Sequence, residues 1–191
     1  MTNDGDFLGP AERRKAGHQE ILGETIAKFE FFQNGWHPYS RFLDVDKIDL
    51  ILRRRIENAV IYREVQVKFG KLYPCETGWS QSLFTCTSWR FFSEKNIAAL
   101  AKRTDIFLAY VLSPDGGFKG DMFLFPVLEF VDCVKCAVKL GNESYRVFIS
   151  QSRSDPKRWY LRRKSKFSAL TDDNVLDVTD YYRNFRCLNE A

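Results

Sequence analysis

The sequence predicts a mixed α/β fold in which helices pack on a β-sheet. A long segment near the start carries apolar residues at helical spacing, and the segments that follow it carry apolar residues at every second position. A strongly apolar run then follows a short second helix. The coarse order is helix, three strands, helix and two strands, which is typical of a sheet flanked by helices.

The first part of the chain predicts one helix and three strands. The helix covers about 11–34, because its apolar residues share one side and an Asn-Gly pair, a common helix end, follows it. Residues 36–43 are predicted as a short strand or extended connection. Residues 47–53 and 60–69 alternate apolar and polar residues, which predicts a hairpin with its turn over 54–59.

The second part predicts a short helix and further strands. Residues 70–87 are rich in Gly, Pro, Ser and Thr and are predicted to be irregular. Ser93 is the predicted N-cap of a helix that ends near Lys102. Pro126 has no backbone N–H, so its strand is placed at an edge or a bulge. Strands are predicted over 105–112, 122–131 and 146–150.

The composition indicates one globular domain with a sizeable core. The chain has 191 residues, of which 45% are hydrophobic and 28% charged. We expect residues 1–10 to form a disordered tail, residues 11–131 the core, and residues 132–191 a C-terminal extension packed on that core within the same domain. The net charge of +4 permits a polyanionic partner without requiring one.

The sequence also predicts a cytoplasmic protein without a membrane segment. No apolar run is long enough to span a bilayer, and the polar first residues lack a signal-peptide core. The five cysteines are an odd number, which argues against a disulfide scaffold. The single Cys133-x-x-Cys136 pair has no second pair and no histidine at matching spacing, so it does not predict a zinc site.

Polar residues interrupt both strands of the predicted hairpin. Asp49 lies inside the first apolar run, and Glu64, Gln66 and Lys68 occupy alternate positions of the second, so those three share one face of a strand. Strand pairing brings Asp49 close to Gln66 and Lys68. Carboxylate and amide oxygens suit Mg²⁺, and an ammonium group suits a polarised water or a phosphate. Glu24, which follows Gly23 on the first helix and shares a helical face with Glu20, is a further candidate ligand.

These residues resemble the PD-(D/E)XK nuclease superfamily. Glu24 on a first helix, Asp49 in one strand and Gln66-Val67-Lys68 in the next are similar to its Gln-x-Lys branch, which includes some intron-encoded homing endonucleases. The apolar strand at 105–112 and the segment around Pro126 also resemble that branch. The resemblance covers roughly residues 18–130 and implies a restriction-endonuclease-like fold, a mixed β-sheet flanked by helices in αβββαβ order.

The resemblance implies Mg²⁺-dependent hydrolysis of DNA, with Mn²⁺ able to substitute. Asp49 is then the principal metal ligand, with Gln66 and Glu24 as further ligands, and Lys68 acts on the nucleophilic water and the phosphate. Two departures from the pattern stand out: Ile48 replaces the usual proline, and Gln66 is neutral where an acid is usual. Glu64 is a possible additional ligand. Cleavage of both strands suggests a homodimer.

Two basic segments are candidate DNA contacts. The segment 153–166 has seven basic residues and one acidic residue, a local charge of +6, with aromatic residues between them. The second candidate is a run of three arginines in the predicted hairpin turn. The proposed contacts are Arg53, Arg54, Arg55, Lys157, Arg158, Arg162, Arg163, Lys164 and Lys166.

Plainer interpretations stay open. Asp49, Gln66 and Lys68 also fit a solvated sheet face with a Lys–Asp pair, which contributes little to stability at a surface. The basic segment also fits an amphipathic element whose aromatic residues are in the core. The alternatives to an endonuclease are therefore a catalytically inactive nucleic-acid-binding module on the same fold and an accessory protein.

Overall fold

The computed structural model describes residues 10–40, 47–114, 120–141 and 143–190. These residues form four α-helices and ten strands, with short 3₁₀ turns at Trp79–Ser82 and Thr179–Tyr181. The helices are α1 (Pro10–Gln33), α2 (Glu94–Leu100), α3 (Val127–Lys135) and α4 (Cys187–Glu190). The strands are β1 (His37–Ser40), β2 (Leu50–Ile56), β3 (Ala59–Pro74), β4 (Phe84–Ser93), β5 (Ile106–Ser113), β6 (Asp121–Pro126), β7 (Val138–Leu140), β8 (Ser144–Ser152), β9 (Trp159–Arg162) and β10 (Val175–Asp177).

The long strand β3 connects the two halves of one mixed sheet. Its first half pairs antiparallel with β2, which in turn pairs with β1. Its second half pairs antiparallel with β4, which leads through β8 and β9 to β10. On its other side β3 pairs in parallel with β5, and β6 then pairs antiparallel with β5. The fold is therefore mixed α/β, as the sequence predicts.

Strand β5 separates two hydrophobic cores. All eight of its residues are buried. Leu108, Tyr110 and Leu112 contribute to a core that contains α3 and β8 residues. Phe107, Ala109 and Val111 contribute to a second core with α1 and β2. A strand that is covered on both faces has a continuous apolar sequence, which explains why β5 could be predicted from the sequence.

Several predicted elements are confirmed at shifted bounds. The first helix ends one residue earlier than expected, and Asn34 and Gly35 follow it, with Gly35 at φ 80°. The predicted strands at 47–53 and 60–69 form the β2–β3 hairpin. The Ser93 side chain accepts a hydrogen bond from the Asn96 N–H, so it does cap α2. Pro126 ends β6, which among the named strands pairs only with β5 and is thus an edge strand.

Three expectations about local structure are wrong. Residues 70–87, predicted to be irregular, contain the end of β3 and the start of β4, because tertiary pairing overrides their Gly, Pro, Ser and Thr content. The strand predicted over 122–131 ends at Pro126, after which α3 begins. The hairpin turn falls at Glu57 and Asn58, so the three arginines predicted in the turn, Arg53, Arg54 and Arg55, lie within β2.

The C-terminal residues complete the sheet. Strand β8 pairs with β4 from Phe84↔Ser152 to Ser93↔Ser144. The division at residue 131 stays a prediction, and that position falls inside α3. The tail predicted at 1–10 lies outside the described residues except for Pro10, which begins α1. Within the part of the chain that is described, no helix is long and apolar enough to cross a membrane.

Candidate metal centre and basic cleft

The candidate site lies where β2 and β4 part along β3. The β2 ladder ends at Leu50↔Val65 and the β4 ladder begins at Leu72↔Ser88. We call residues 66–71 of β3, between these ladders, the fork. Side chains meet the backbone there: the Val67 N–H donates to Asp49 Oδ2 at 2.5 Å, and the Phe69 carbonyl accepts from Arg90 Nη1 at 2.7 Å.

Three carboxylates converge beside the fork. One oxygen each from Glu20, Glu24 and Asp49 lies within 4.8 Å of the others. Glu20 and Glu24 are one helical turn apart on α1, and Asp49 directly precedes β2. Ligands about 2.1 Å from Mg²⁺ are separated by at most about 4.2 Å, so small side-chain rotations bring these oxygens to the spacing of a magnesium site.

Gly23 allows α1 to approach the sheet at this point. A Cβ at Gly23 would stand 3.0 Å from the Cβ of Phe69 on β3. The neighbouring residues Ile26 and Ala27 are fully buried against the same core. This close contact fixes the height of Glu20 and Glu24 above the fork.

The charges of the cluster act on one another. Burial raises the pKa of Glu24 above its ordinary value, and the nearby Asp49 carboxylate raises it further, while Lys28 at 3.7 Å lowers it. A divalent cation bound by these three carboxylates would relieve the repulsion among them. The donor set, which is all oxygen, therefore fits a hard ion such as Mg²⁺ or Mn²⁺.

Lys68 lies between the carboxylates and a basic cleft. Burial lowers the pKa of Lys68, and the charge of Asp49 partly restores it. Lys68 and Arg90 line a small pocket of about 170 Å³ together with Glu20 and Glu24. The same two side chains line a larger pocket of about 420 Å³, which we call the basic cleft. Its four cationic side chains are Lys47, Lys68, Arg90 and Arg103.

Gln66 is buried, at 5% exposure, and its amide supports the segment before Asp49. Its Nε2 donates to the Lys47 carbonyl at 2.8 Å. Lys47 has φ 57°, a left-handed conformation that is costly for a residue with a side chain. The hydrogen bond from Gln66 stabilises this turn. The role of Gln66 as a metal ligand stays a prediction, and its Oε1 is the atom left for it.

Glu64 lies apart from the carboxylate cluster. Its Oε2 accepts from Arg103 Nη2 at 3.0 Å, and it lines another pocket with Ile51 and Asp105. This ion pair supports a structural role for Glu64.

Two residues of the site were not predicted from the sequence. The sequence shows only that Glu20 shares a helical face with Glu24, and nothing in the spacing distinguishes Glu20 from an ordinary exposed acid. Arg90 comes from β4, in a region whose first part was predicted to be irregular. Its position depends on the pairing of β4 with β3 and β8, which the local sequence does not indicate.

The arginines of β2 are partly engaged in packing. Arg54 lies over the Trp36 ring at 5.6 Å and donates to Asn189 at 3.3 Å. Arg53 is half-buried and Arg55 is exposed. Of the three, Arg55 is the most accessible to a ligand.

The basic segment 153–166 is divided by the fold. Arg158 is exposed but pairs with Asp177 at 2.9 Å. Arg162 is 4% exposed, and its guanidinium lies within about 5 Å of the Phe84, Phe148 and Trp79 ring centroids. Arg162 therefore packs in the interior and is not available to DNA, in contrast to its predicted role. Arg163 is half-buried, and the other proposed contacts in this segment, Lys157, Lys164 and Lys166, are exposed.

The two cysteines of the single pair do not resemble a redox centre. Cys133 lies in α3, where burial raises its pKa to about 12, and Cys136 follows the helix and is exposed. Redox-active cysteines have depressed pKa values. The structure thus supports a packing role for Cys133.

Comparison with known proteins shows a structural likeness to a solved structure. No protein-family model matches the chain, and no curated protein matches it. The chain is similar to the solved structure of a bacterial homing endonuclease, I-Ssp6803I, with a TM-score of 0.46 and 14% sequence identity. The overlap covers 91% of this chain and 93% of that one. Agreement at this level does not identify a function.

Proposed function

We propose that this protein is a metal-dependent DNA endonuclease that hydrolyses phosphodiester bonds. The observation that carries the proposal is the convergence of Glu20, Glu24 and Asp49 within 4.8 Å. Lys68 lies beside them at the head of the basic cleft. Carboxylates, a desolvated ammonium group and a cationic entrance are the parts that phosphodiester hydrolysis requires.

The side chains divide the work by their positions. Asp49, held by the Val67 N–H, and the two glutamates on α1 would hold Mg²⁺. The ion when bound polarises the phosphate and lowers the pKa of water. Lys68 then stabilises negative charge that develops on the phosphate, and its burial strengthens that interaction. Arg90 and Lys47 bind neighbouring phosphates in the basic cleft.

Hydrolysis adds water to phosphorus and breaks one P–O ester bond, leaving a phosphate monoester on one product and a hydroxyl on the other. A single cluster of this kind serves one strand at a time. We therefore propose that cleavage of both strands uses a homodimer on DNA, which sedimentation of the protein–DNA complex tests by its mass.

Plasmid cleavage with Mg²⁺ or Mn²⁺ tests the site. We expect Asp49→Ala and Lys68→Ala to reduce cleavage by about 100-fold or more, in line with the loss of a positioned acid or charge-stabilising group. The matched control is Glu64→Ala, which removes an acid that lies on β3 like Lys68 but outside the carboxylate cluster. This variant should retain activity. Unchanged cleavage in both site variants would refute the assignment.

A second candidate is a nucleic-acid-binding module that does not cut. The neutral Gln66, whose amide nitrogen is engaged with Lys47, favours it. Calorimetric titration with Mg²⁺ and with duplex DNA separates the two. DNA binding with neither metal uptake nor cleavage supports the binding module, whereas failure to bind DNA at any salt concentration supports an accessory protein.

A further inference from the structure

The second half of the sheet exposes a group of aromatic side chains away from the carboxylate cluster. Tyr73 on β3 is 39% exposed, and Trp89 and Phe91 on β4 are 44% and 47% exposed. Trp89 and Phe91 contact each other edge to face, with ring centroids 5.3 Å apart. Large aromatic residues are usually buried, so a group of three in solvent indicates a binding surface.

The strand registers place these rings on one face. Tyr73 is opposite Thr87, and Trp89 and Phe91 follow Thr87 at two-residue intervals. On the next strand, Phe148 is opposite Trp89 and Arg146 is opposite Phe91. We call this surface the aromatic face and define it by Lys71, Tyr73, Trp89, Phe91 and Arg146.

The charges of the aromatic face suit a polyanion. The Arg146 guanidinium lies 4.9 Å from the Phe91 ring centroid, and the Lys71 ammonium lies 5.3 Å from that of Tyr73. Residues 66–74 of β3 and the whole of β4 and β8 contain no Asp or Glu. A nucleic-acid backbone therefore meets cations and no carboxylate from these three strands.

At the other end of the same face, a similar arrangement of an arginine and aromatic rings is buried and has a structural role. There Arg162 lies beneath Trp79 and beside Phe148, and it is almost completely buried. Trp79, the first residue of the 3₁₀ turn at Trp79–Ser82, has its ring centroid 5.2 Å from the Arg162 guanidinium. Arg146, Trp89 and Phe91 have the same cation–aromatic arrangement with the rings left in solvent, as a ligand platform requires.

We propose that the aromatic face binds single-stranded nucleic acid by stacking unpaired bases on Trp89 and Phe91. Arg146 and Lys71 contact the adjoining phosphates. An open sheet face with exposed rings suits unpaired bases, because base pairs in a duplex are already stacked on one another and expose only their edges. This binding goes beyond the proposed cleavage and does not depend on the carboxylate cluster.

Fluorescence anisotropy with a labelled oligothymidine tests the proposal. The double variant Trp89→Ala/Phe91→Ala should weaken binding by about tenfold or more, since each stacked base contributes substantially to affinity. The single variant Trp89→Phe keeps an aromatic ring at this position and should therefore retain part of the wild-type affinity. The matched control is Tyr39→Ala, which removes an exposed ring, 52% accessible, from the edge strand β1. Oligothymidine should also quench the tryptophan fluorescence of the wild type.

The outcomes separate this proposal from its rivals. Unchanged oligothymidine binding in the double variant overturns it, and so does an equal loss of binding to fully paired duplex, which would indicate general phosphate contact. Loss of self-association with unchanged oligothymidine binding identifies the face as a contact between two copies and also overturns it. Asp49→Ala should keep oligothymidine binding intact, so failure of the cleavage proposal is recognisable separately.

Discussion

The fork and the basic segment 153–166 are both polar regions on one sheet, but the fold treats them in opposite ways. At the fork, charged side chains from α1, β3 and β4 converge on pockets that Lys68 and Arg90 share. In segment 153–166, neighbouring cations are dispersed: Arg162 is buried among aromatic rings and Arg158 pairs with Asp177. β4 and β8 lie between β3 and β9 in the sheet.

This contrast shows that residue spacing within a strand predicts side-chain position better than charge density along the chain does. Alternate residues of a strand must share a face, so Gln66 and Lys68 were bound to lie together. A dense run of cations has no such constraint, because each residue's surroundings depend on elements far away in sequence. The shared face of Gln66 and Lys68 could therefore be predicted from the sequence, whereas the surroundings of Arg158 and Arg162 could not.

The largest effect that tests this contrast is expected from Gly23→Val. The added side chain meets Phe69 and pushes α1 away from the fork, so Glu20 and Glu24 no longer reach Asp49. We expect a loss of metal-dependent cleavage of about 100-fold, the usual result of a displacement near 1 Å. Initial rates of plasmid cleavage measure it.

Gly17→Val is the matched control for that change. Gly17 lies on the same helix, and a Cβ there meets no atom within 4 Å among the described residues. Both variants alter helix propensity equally, so only the contact with β3 differs. Equal activity in the two variants would show that the height of α1 does not set the site.

Arg162→Ala tests the other region and should affect stability. The variant removes a buried guanidinium whose carbon lies 4.6 Å from the Phe84 ring centroid. The Nε of the same group donates to Ser150 Oγ at 3.0 Å. We expect unfolding free energy to fall by about 2 kcal/mol, as for other losses of buried packing and hydrogen bonds. Lys164→Ala, at an exposed position, should change it by less than about 0.5 kcal/mol. Urea denaturation measures both; similar values would mean that Arg162 is not a core residue.

The sequence predicted the parts of the fold that depend on local pattern. The β2–β3 hairpin, the Ser93 cap and the buried run of β5 each follow from a short window of residues. Strand β4 was largely missed because its Thr, Cys and Ser residues carry a weak pattern and its main partner, β8, lies far along the chain. Arg90 was missed with it.

The candidate site shows the same division. Strand spacing predicted that Asp49 and Lys68 lie close together, and in the structure Lys68 lies near the cluster to which Asp49 belongs. Glu20 could be recognised only from the distance of its carboxylate to those of Glu24 and Asp49, since many exposed glutamates on helices belong to no site. The burial of Arg162 could not be predicted from its local sequence, because it involves a contact with Trp79, which is far away along the chain.

Gln66→Glu tests whether the neutral residue is a weakened acid or a structural support. An ionised Glu has no donor for the Lys47 carbonyl, and its charge would be buried where Gln66 is 5% exposed. We expect a loss of about 1 to 2 kcal/mol in unfolding free energy without metal. Thermal unfolding with and without Mg²⁺ measures it. A variant as stable as the wild type, with tighter Mg²⁺ binding, would instead identify position 66 as a ligand site.

The smallest expected effect comes from Lys164→Ala on duplex binding. Lys164 is exposed and is one of the cations that the fold leaves available in segment 153–166. If it contacts one phosphate, the slope of log affinity against log salt should fall in magnitude by about 0.9, and affinity should fall a few-fold for every sequence alike. Lys135→Ala is the charge-matched control, because Lys135 lies on α3 and pairs with Asp132. An unchanged slope for Lys164→Ala would show that Lys164 contacts no phosphate, which would favour the fork and its cleft over this part of the segment as the region that engages the backbone.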